Sequence, residues 1–297
     1  MRKGRRRITV LAVFLLGMIG WASASRAIFA QALERSLHVT VLDQAGNDVS
    51  GLGPSDFVVH EDKATREVLR VGPGDDPMQV ALLVDDSTAL GRSLGDVRAS
   101  LTAFVTAITG DSPTRGKHDM ALITLSSRPT IKVSYTSDSK ALLKETNSIF
   151  PQPASRPTLL DGIAEASDGL AKRHATRPVI VVVATETEDA SFRLYDQVLS
   201  SLEKSGASLY VLGIGQPFSQ QDRSIVLDQG TKTSGGEYQT VLASNALSAR
   251  LMRLAGHLTH QYLVTYARPN SLIPPDRVTV GAAKPGLTAR GTLVKAE

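Results

Sequence analysis

The sequence contains no cysteine and few aromatic residues. Without cysteine the chain can form no disulfide bond, no Cys-ligated zinc site, no iron–sulfur cluster and no thiol-based active site. Aromatic residues make up 5% of its 297 residues, so valine, leucine, isoleucine and alanine have to fill the core. The length still allows one large core, or one core with a small satellite. The chain also lacks heptad runs, low-complexity tracts and repeats at solenoid periods.

The positive charge of the chain is concentrated at its N-terminus. Residues 2–7 include five basic residues, and an apolar stretch, Ile8–Ala24, follows. Small-x-small sequences end at Ala24 and at Ala32. This pattern predicts a secretory signal peptide over residues 1–32, cleaved after Ala24 or Ala32, with an uncleaved signal anchor as the alternative. We therefore expect an extracytoplasmic protein, periplasmic or secreted, that meets a membrane only through such an anchor.

Removal of this segment reverses the sign of the net charge. The whole chain carries +4, but residues 1–32 hold six of the 33 basic residues and none of the 29 acidic ones. The remaining 27 basic and 29 acidic residues give the mature chain a net charge of −2. Nucleic-acid binding loses its electrostatic support, and we expect no nucleic-acid partner.

The rest of the chain divides into three zones. Residues 33–76 alternate like short strands and end in a Pro/Gly/Asp-rich linker, Gly72–Pro77. Residues 77–261 alternate apolar strands with helical periods, which predicts a mostly parallel sheet with helices on both faces. Residues 262–297 return to strands. Neither terminal zone has strand partners of its own, so we expect the two to form one small β-subdomain. Four runs predict parallel strands and a fifth, which alternates, predicts an edge strand: Val80–Val84, Met120–Leu125, Val179–Ala184, Leu209–Gly213 and Thr130–Tyr135.

Several motifs in this order resemble the von Willebrand factor type A domain, and more narrowly the bacterial exported proteins related to it. They are DFVVHED, ALLVDDS, PTLLDGI, VIVVVATETED, SLYVLGIG, SGGEYQTV and HQYLVTYARP, and they extend over most of the mature chain. The resemblance implies a Rossmann-like, three-layer α/β fold. It also implies a non-enzymatic protein-binding module that carries a metal-ion-dependent adhesion site.

The residues of that adhesion site match the family pattern only in part. Asp85 and Ser87 fit the first two positions of Asp-x-Ser-x-Ser, and Ala89 replaces the third. The family's threonine falls on Pro157, with Thr158 one position late, and Glu186-Thr187 replaces Asp-Gly. The resemblance thus implies a degenerate site for Mg²⁺ or another divalent cation, with Asp85, Ser87, Thr158 and Glu186 as ligands. As the alternative, Asp85 and Ser87 only cap the following helix.

Three loops should meet at the carboxyl ends of the parallel strands and form the binding rim: Asp85–Arg92, Gln152–Thr158 and Glu186–Phe192. The expected partner is a protein that presents an acidic group. One rival function is a metal-free structural scaffold. Another is a secreted serine hydrolase, because Gly91-Arg92-Ser93-Leu94-Gly95 matches a nucleophile-elbow pattern, with Asp161 and His257 or His260 as triad partners.

Overall fold

The computed structural model describes residues 32–110, 118–269, 273, 275 and 277–293. The predicted signal peptide therefore lies outside the described residues, apart from Ala32. Glu34–Ala267 and the described residues from Ile273 onward belong to one compact unit. Ala32, Leu33, Arg268 and Pro269, at the ends of two strands, belong to a second unit.

The strands of the described residues are, in chain order, β1 (Ala32–Leu42), β2 (Phe57–Glu61), β3 (Ala64–Arg66), β4 (Val68–Pro73), β5 (Gln79–Val84), β6 (Asp119–Thr124), β7 (Thr130–Thr136), β8 (Pro178–Thr185), β9 (Ser208–Ile214), β10 (Glu237–Val241), β11 (Tyr262–Pro269), β12 (Val278–Ala282) and β13 (Thr288–Leu293). The helices are α1 (Leu94–Thr109), α2 (Ser139–Asn147), α3 (Leu159–Lys172), α4 (Tyr195–Ser205), α5 (Gln221–Ile225), α6 (Thr231–Thr233) and α7 (Leu247–Thr259). A π-helical turn, Val226–Gly230, joins α5 to α6.

The central sheet has the strand order β10-β9-β8-β5-β6-β7. Every neighbouring pair is parallel except β6 and β7, which confirms the mostly parallel sheet and its antiparallel edge strand. Successive side chains of a strand point to opposite faces, so the apolar run of β5 serves two cores. Val80, Leu82 and Val84 pack with α1 and α7, whereas Ala81 and Leu83 pack with α3 and α4. These are the three layers that the resemblance implies.

The terminal strands pair with each other, as expected from their lack of partners. Antiparallel pairs join β1 to β13, β4 to β11 and β2 to β12. They make two small sheets, ordered β13-β1-β11-β4 and β12-β2-β3. One apolar cluster, which includes Val39, Val59 and Val264, lies between them. The boundaries drawn at residues 76 and 261 stay predictions.

The predicted linker Gly72–Pro77 is fixed by a buried arginine. Arg177 donates to the carbonyls of Gly74 (2.7 Å) and Asp76 (3.1 Å) and to Oε1 of Gln261 (2.6 Å). That this segment is a linker stays a prediction, and composition alone does not show what binds its carbonyl groups.

Residues Glu237–Val241 form a strand that the sequence alone did not assign. This strand, β10, pairs in parallel with β9 at the edge of the sheet. A Cβ atom at Gly236 would lie 1.9 Å from the carbonyl oxygen of Leu209. Glycine thus permits the close approach of the two backbones. Among the described residues, no helix is long and apolar enough to cross a membrane.

Candidate functional site

Three loops meet at the carboxyl edge of the central sheet. We define them as the first (residues 85–93), second (149–158) and third (186–193) rim loops. In the first, the carbonyl of Asp86 accepts from the amide of Gln152 (2.7 Å), and the Thr88 hydroxyl donates to the Gln152 carbonyl (2.8 Å). Between the second and third, the amide of Ala190 donates to the carbonyl of Pro157 (2.8 Å). The expected convergence of the loops is present.

Asp85 is the first residue of the first rim loop, directly after β5, and is fully buried. Its Oδ1 accepts from the amide of Ser87 at 2.8 Å. Its Oδ2 accepts from the amide of Thr185 at 3.0 Å and from the Thr185 hydroxyl. A carboxylate oxygen can accept two hydrogen bonds, so Oδ1 keeps one lone pair for a further partner.

Ser87 is also fully buried, and its Oγ has no hydrogen-bond partner. The residue precedes the short 3₁₀ helix Thr88–Ser93, but its side chain does not cap it. The capping alternative is therefore wrong for the Ser87 side chain. A buried hydroxyl without a partner costs free energy, so it needs an explanation such as a water molecule, an ion or a functional role.

Thr158 precedes α3 and is 1% exposed. Its hydroxyl and its amide both donate to the carbonyl of Leu125, at 2.7 and 2.8 Å. The hydroxyl oxygen therefore keeps its lone pairs. The first amides of α3 are satisfied by Asp189 of the third rim loop, which accepts from Leu159 (2.7 Å) and Leu160 (3.3 Å). Burial nevertheless raises the pKa of the Asp189 carboxyl.

Glu186 makes other contacts than those of a metal ligand. Its side chain is 0% exposed, and its Oε2 lies 2.7 Å from Nη2 of the buried Arg223. The same carboxylate accepts from the hydroxyl of Tyr238 (2.8 Å) and from the amide of Phe218 (3.0 Å). Burial and the hydrogen bond to Glu186 raise the pKa of Tyr238 to about 12.

This arrangement corrects the predicted ligand set. The fold brings Asp85, Ser87 and Thr158 to adjoining loops, but the longer side chain of Glu186 reaches Arg223 and is paired with it. Sequence reasoning missed Arg223 and Tyr238. The available signal was the replacement of aspartate by glutamate, because the extra methylene needs a different partner.

The family model of the von Willebrand factor type A domain matches residues 79–247. The chain belongs to this family. No curated protein matches the sequence. The matched region begins with β5 and ends where α7 begins, so it contains all three rim loops and excludes the terminal strands.

Two solved structures illustrate the similarity of fold. Proximal thread matrix protein 1 from the mussel byssus, with a zinc-occupied MIDAS motif (the metal-ion-dependent adhesion site), is 14% identical at a TM-score of 0.52. That alignment covers 70% of this chain and 50% of the mussel chain, so the protein spans about half of that length. A von Willebrand factor type A protein from Catenulispora acidiphila is 8% identical at a TM-score of 0.50, over 90% of this chain and 73% of the other.

In this von Willebrand factor A domain, the triad partners suggested for Ser93 make their contacts with other groups. Nε2 of His257 lies near the Gly46 carbonyl (3.3 Å) and Oδ1 of Asp48 (3.9 Å). The Asp161 carboxylate accepts from the amides of Phe192 and Arg193, at 3.1 and 3.0 Å. His260 is exposed, and its Nδ1 lies 2.8 Å from the carbonyl of Gly256 in its own helix. Its family is one of protein-interaction modules.

The described residues also contain no group of three or more histidine, aspartate or glutamate side chains that could hold a metal ion. A cation at this rim would therefore depend on hydroxyl oxygens beside fewer than three carboxylates. The residues that fit this description are Ser87, Thr158 and Asp85.

Proposed function

We propose that the protein is an exported protein-binding module that holds an acidic group of its partner at the first and second rim loops, assisted by a divalent cation. Ser87 Oγ, Thr158 Oγ1 and the remaining lone pair of Asp85 Oδ1 would bind the cation. The observation that carries this proposal is the fully buried Ser87 hydroxyl, which has no protein partner. Mg²⁺ and Mn²⁺ prefer oxygen ligands, and water completes their shells. The bound cation would supply the positive charge that attracts the partner's carboxylate.

The cation should bind more weakly here than at a site with two free carboxylates. Asp85 offers one lone pair, Glu186 is paired with Arg223, and Ala89 offers no oxygen. Fewer charged ligands lower the affinity for a divalent cation. Water molecules can occupy the coordination positions that Glu186 and Ala89 do not fill, so the cation can still have an octahedral shell.

Thermal unfolding of the full-length chain in Mn²⁺, Mg²⁺ or EDTA tests this proposal. A ligand that binds only the folded state adds about 2.7 kcal/mol at a concentration one hundred times its dissociation constant. We expect the melting temperature of the wild type to rise with Mn²⁺, and that of Ser87→Ala not to respond. Ser100→Ala is the matched control, since it removes a buried hydroxyl that is bonded within α1. Unchanged wild-type curves across all three conditions would end the metal part of the proposal.

A metal-free interaction domain or scaffold is the second candidate. The Arg223–Glu186 pair favours it, because this pair supports the third rim loop without a cation. In that case partner binding would persist unchanged in EDTA and in Ser87→Ala.

The proposal of export rests on residues 1–32. The intact mass of the chain recovered from its native cells tests it. A mature chain beginning at Ser25 or Leu33 supports cleavage of the segment, an intact chain in the membrane fraction supports the anchor, and an intact chain in the cytosol contradicts export.

A further inference from the structure

Exposed phenylalanine side chains are concentrated on the rim. Of the five phenylalanines that the structure describes, Phe57 and Phe104 are buried. Phe150 is 58% exposed, Phe192 is 91% exposed and Phe218 is 38% exposed. These three lie in the second rim loop, in the third, and in the connection between β9 and α5, which we define as the fourth rim loop (residues 215–220). In a chain with so few aromatic residues, this placement needs a physical reason.

The backbone beside two of these rings is held by buried acidic side chains. The amide of Phe192 donates to Oδ2 of Asp161 at 3.1 Å, and the amide of Phe218 donates to Oε2 of Glu186 at 3.0 Å. The third and fourth rim loops are also joined to each other, because the amide of Asp189 donates to the Gln220 side chain at 2.9 Å. Rings on fixed loops lose little conformational entropy when a partner covers them.

The third ring is held by an arginine. The guanidinium carbon of Arg98 lies 4.2 Å from the ring centroid of Phe150, a cation–π distance. Nε of Arg98 also donates to the carbonyl of Ile149 at 2.9 Å. Phe150 is therefore oriented while more than half of its surface remains in water.

Two arginines at or beside the first and second rim loops carry free positive charge, and Asp196 at the start of α4 is an exposed carboxylate. Arg92 and Arg128 are exposed, and no carboxylate of the described residues pairs with either of them. Glu188 is exposed but is neutralised by Arg156, at 2.7 Å. The carboxylates deeper in the rim are buried and bonded, as described for Asp85 and Glu186. A partner should therefore bring negative charge to this surface.

We propose that Phe150, Phe192 and Phe218 form the docking surface for a protein segment that presents one aspartate or glutamate between apolar side chains. We call this surface the aromatic rim; Leu194 (56% exposed) and Tyr195 (38% exposed) extend it at the start of α4. The inference rests on the proposed function, in that the acidic side chain is directed to the cation site at Ser87. We also infer that the apolar side chains on either side of the acidic residue provide most of the affinity, because they contact the three phenylalanines and aromatic residues dominate the energetics of interfaces.

A displayed random-peptide library, selected on the immobilised full-length chain, tests this inference. We expect the enriched peptides to carry an acidic residue flanked by phenylalanine, leucine or isoleucine. Synthetic versions should bind Phe192→Ser and Phe218→Ser at least about tenfold more weakly than the wild type. Met252→Ser is the matched control: Met252 is an apolar residue of α7, 43% exposed, and belongs to none of the four rim loops. It should bind like the wild type.

Four results would overturn the aromatic rim. They are a selection that enriches no acidic peptide; peptides that bind both phenylalanine variants as tightly as the wild type; Phe192-dependent self-association in sedimentation velocity; and Phe192-dependent binding to phosphatidylserine vesicles with no peptide binding. Because Phe192 is almost entirely exposed, its replacement should leave folding intact, and circular dichroism of the variant checks this.

The two proposals fail in different ways. Peptide binding that requires Phe192 but is unchanged in EDTA and in Ser87→Ala would support the aromatic rim and contradict the proposed cation site. A Mn²⁺-dependent rise in melting temperature without Phe192-dependent peptide binding would support the cation site and contradict the proposed role of the aromatic rim.

Discussion

Replacing Arg223 by methionine should destabilise the protein more than most single substitutions. The guanidinium group is 2% exposed, and the Glu186 carboxylate beside it is 0% exposed. Their closest atoms are 2.7 Å apart, although Nη2 makes no well-aligned hydrogen bond, so the contact is mainly ionic. Arg223→Met leaves a buried carboxylate with only Tyr238 and the amide of Phe218 as partners. Removal of one member of a buried pair costs about 3–5 kcal/mol.

Urea and thermal unfolding of the full-length chain measure this cost. At about 2–4 °C per kcal/mol for a chain of this size, the melting temperature should fall by about 6–20 °C. Glu186→Gln should cost a similar amount, because it leaves the guanidinium uncompensated. The double variant removes both charges and should be more stable than the sum of the single effects predicts, by about 0.5–3 kcal/mol.

A titration of Tyr238 tests the contacts of Glu186 independently of the unfolding measurements. Its pKa is about 12, raised first by burial and then by the hydrogen bond to Glu186. Glu186→Gln should lower this pKa in an ultraviolet absorbance titration. The protonated phenol stabilises the fold below pH 10, and this contribution is lost as the pH rises towards 12. Our account of the pair is refuted if Arg223→Met costs less than about 1 kcal/mol, or if the two single effects add.

Three further predictions concern other parts of the molecule. In EDTA, Ser87→Ala should be neutral or stabilising by up to about 1 kcal/mol, since it removes a buried hydroxyl without a partner; clear destabilisation in urea unfolding would show that the hydroxyl is satisfied. His38 has a pKa lowered from 6.5 to about 4, mainly by burial and then by Arg177, which corresponds to about 3 kcal/mol of stability that is lost as the pH falls from 6.5 to 4. His38→Gln should flatten that part of the curve of melting temperature against pH, and an unchanged slope would contradict the lowered pKa. Gly236→Ala should cost about 2 kcal/mol or more in urea unfolding, because its Cβ would lie 1.9 Å from the Leu209 carbonyl oxygen, and wild-type stability would show that β10 does not approach β9 so closely.

The strands of the central sheet were predictable because their sequence pattern indicates that they are buried. Val80–Val84 and Val179–Ala184 are continuous apolar runs, as strands covered on both faces require. β10 was not assigned, because it is short and four of its five residues are only partly buried. Its pairing with β9 depends on the close approach of Gly236 to the Leu209 backbone, and no local sequence pattern predicts that contact.

The candidate site was predictable in its location and only partly in its members. Parallel strands end at one edge of a sheet, so the convergence of the loops that contain Asp85, Thr158 and Glu186 follows from chain order. The direction of the Glu186 side chain does not follow from it. A glutamate has several accessible rotamers, and the position of the buried guanidinium of Arg223 decides among them.

The sequence by itself determined the α/β architecture, the family resemblance and the edge of the sheet where the binding loops lie, because periodicity and strand order are local or sequential properties. Only the tertiary structure decided that Ser87 has a hydroxyl without a partner, that Glu186 belongs to Arg223, and that three of the described phenylalanines face water on the rim. These properties depend on contacts between residues far apart in the chain, and burial and hydrogen bonding at such contacts are fixed only when the layers pack.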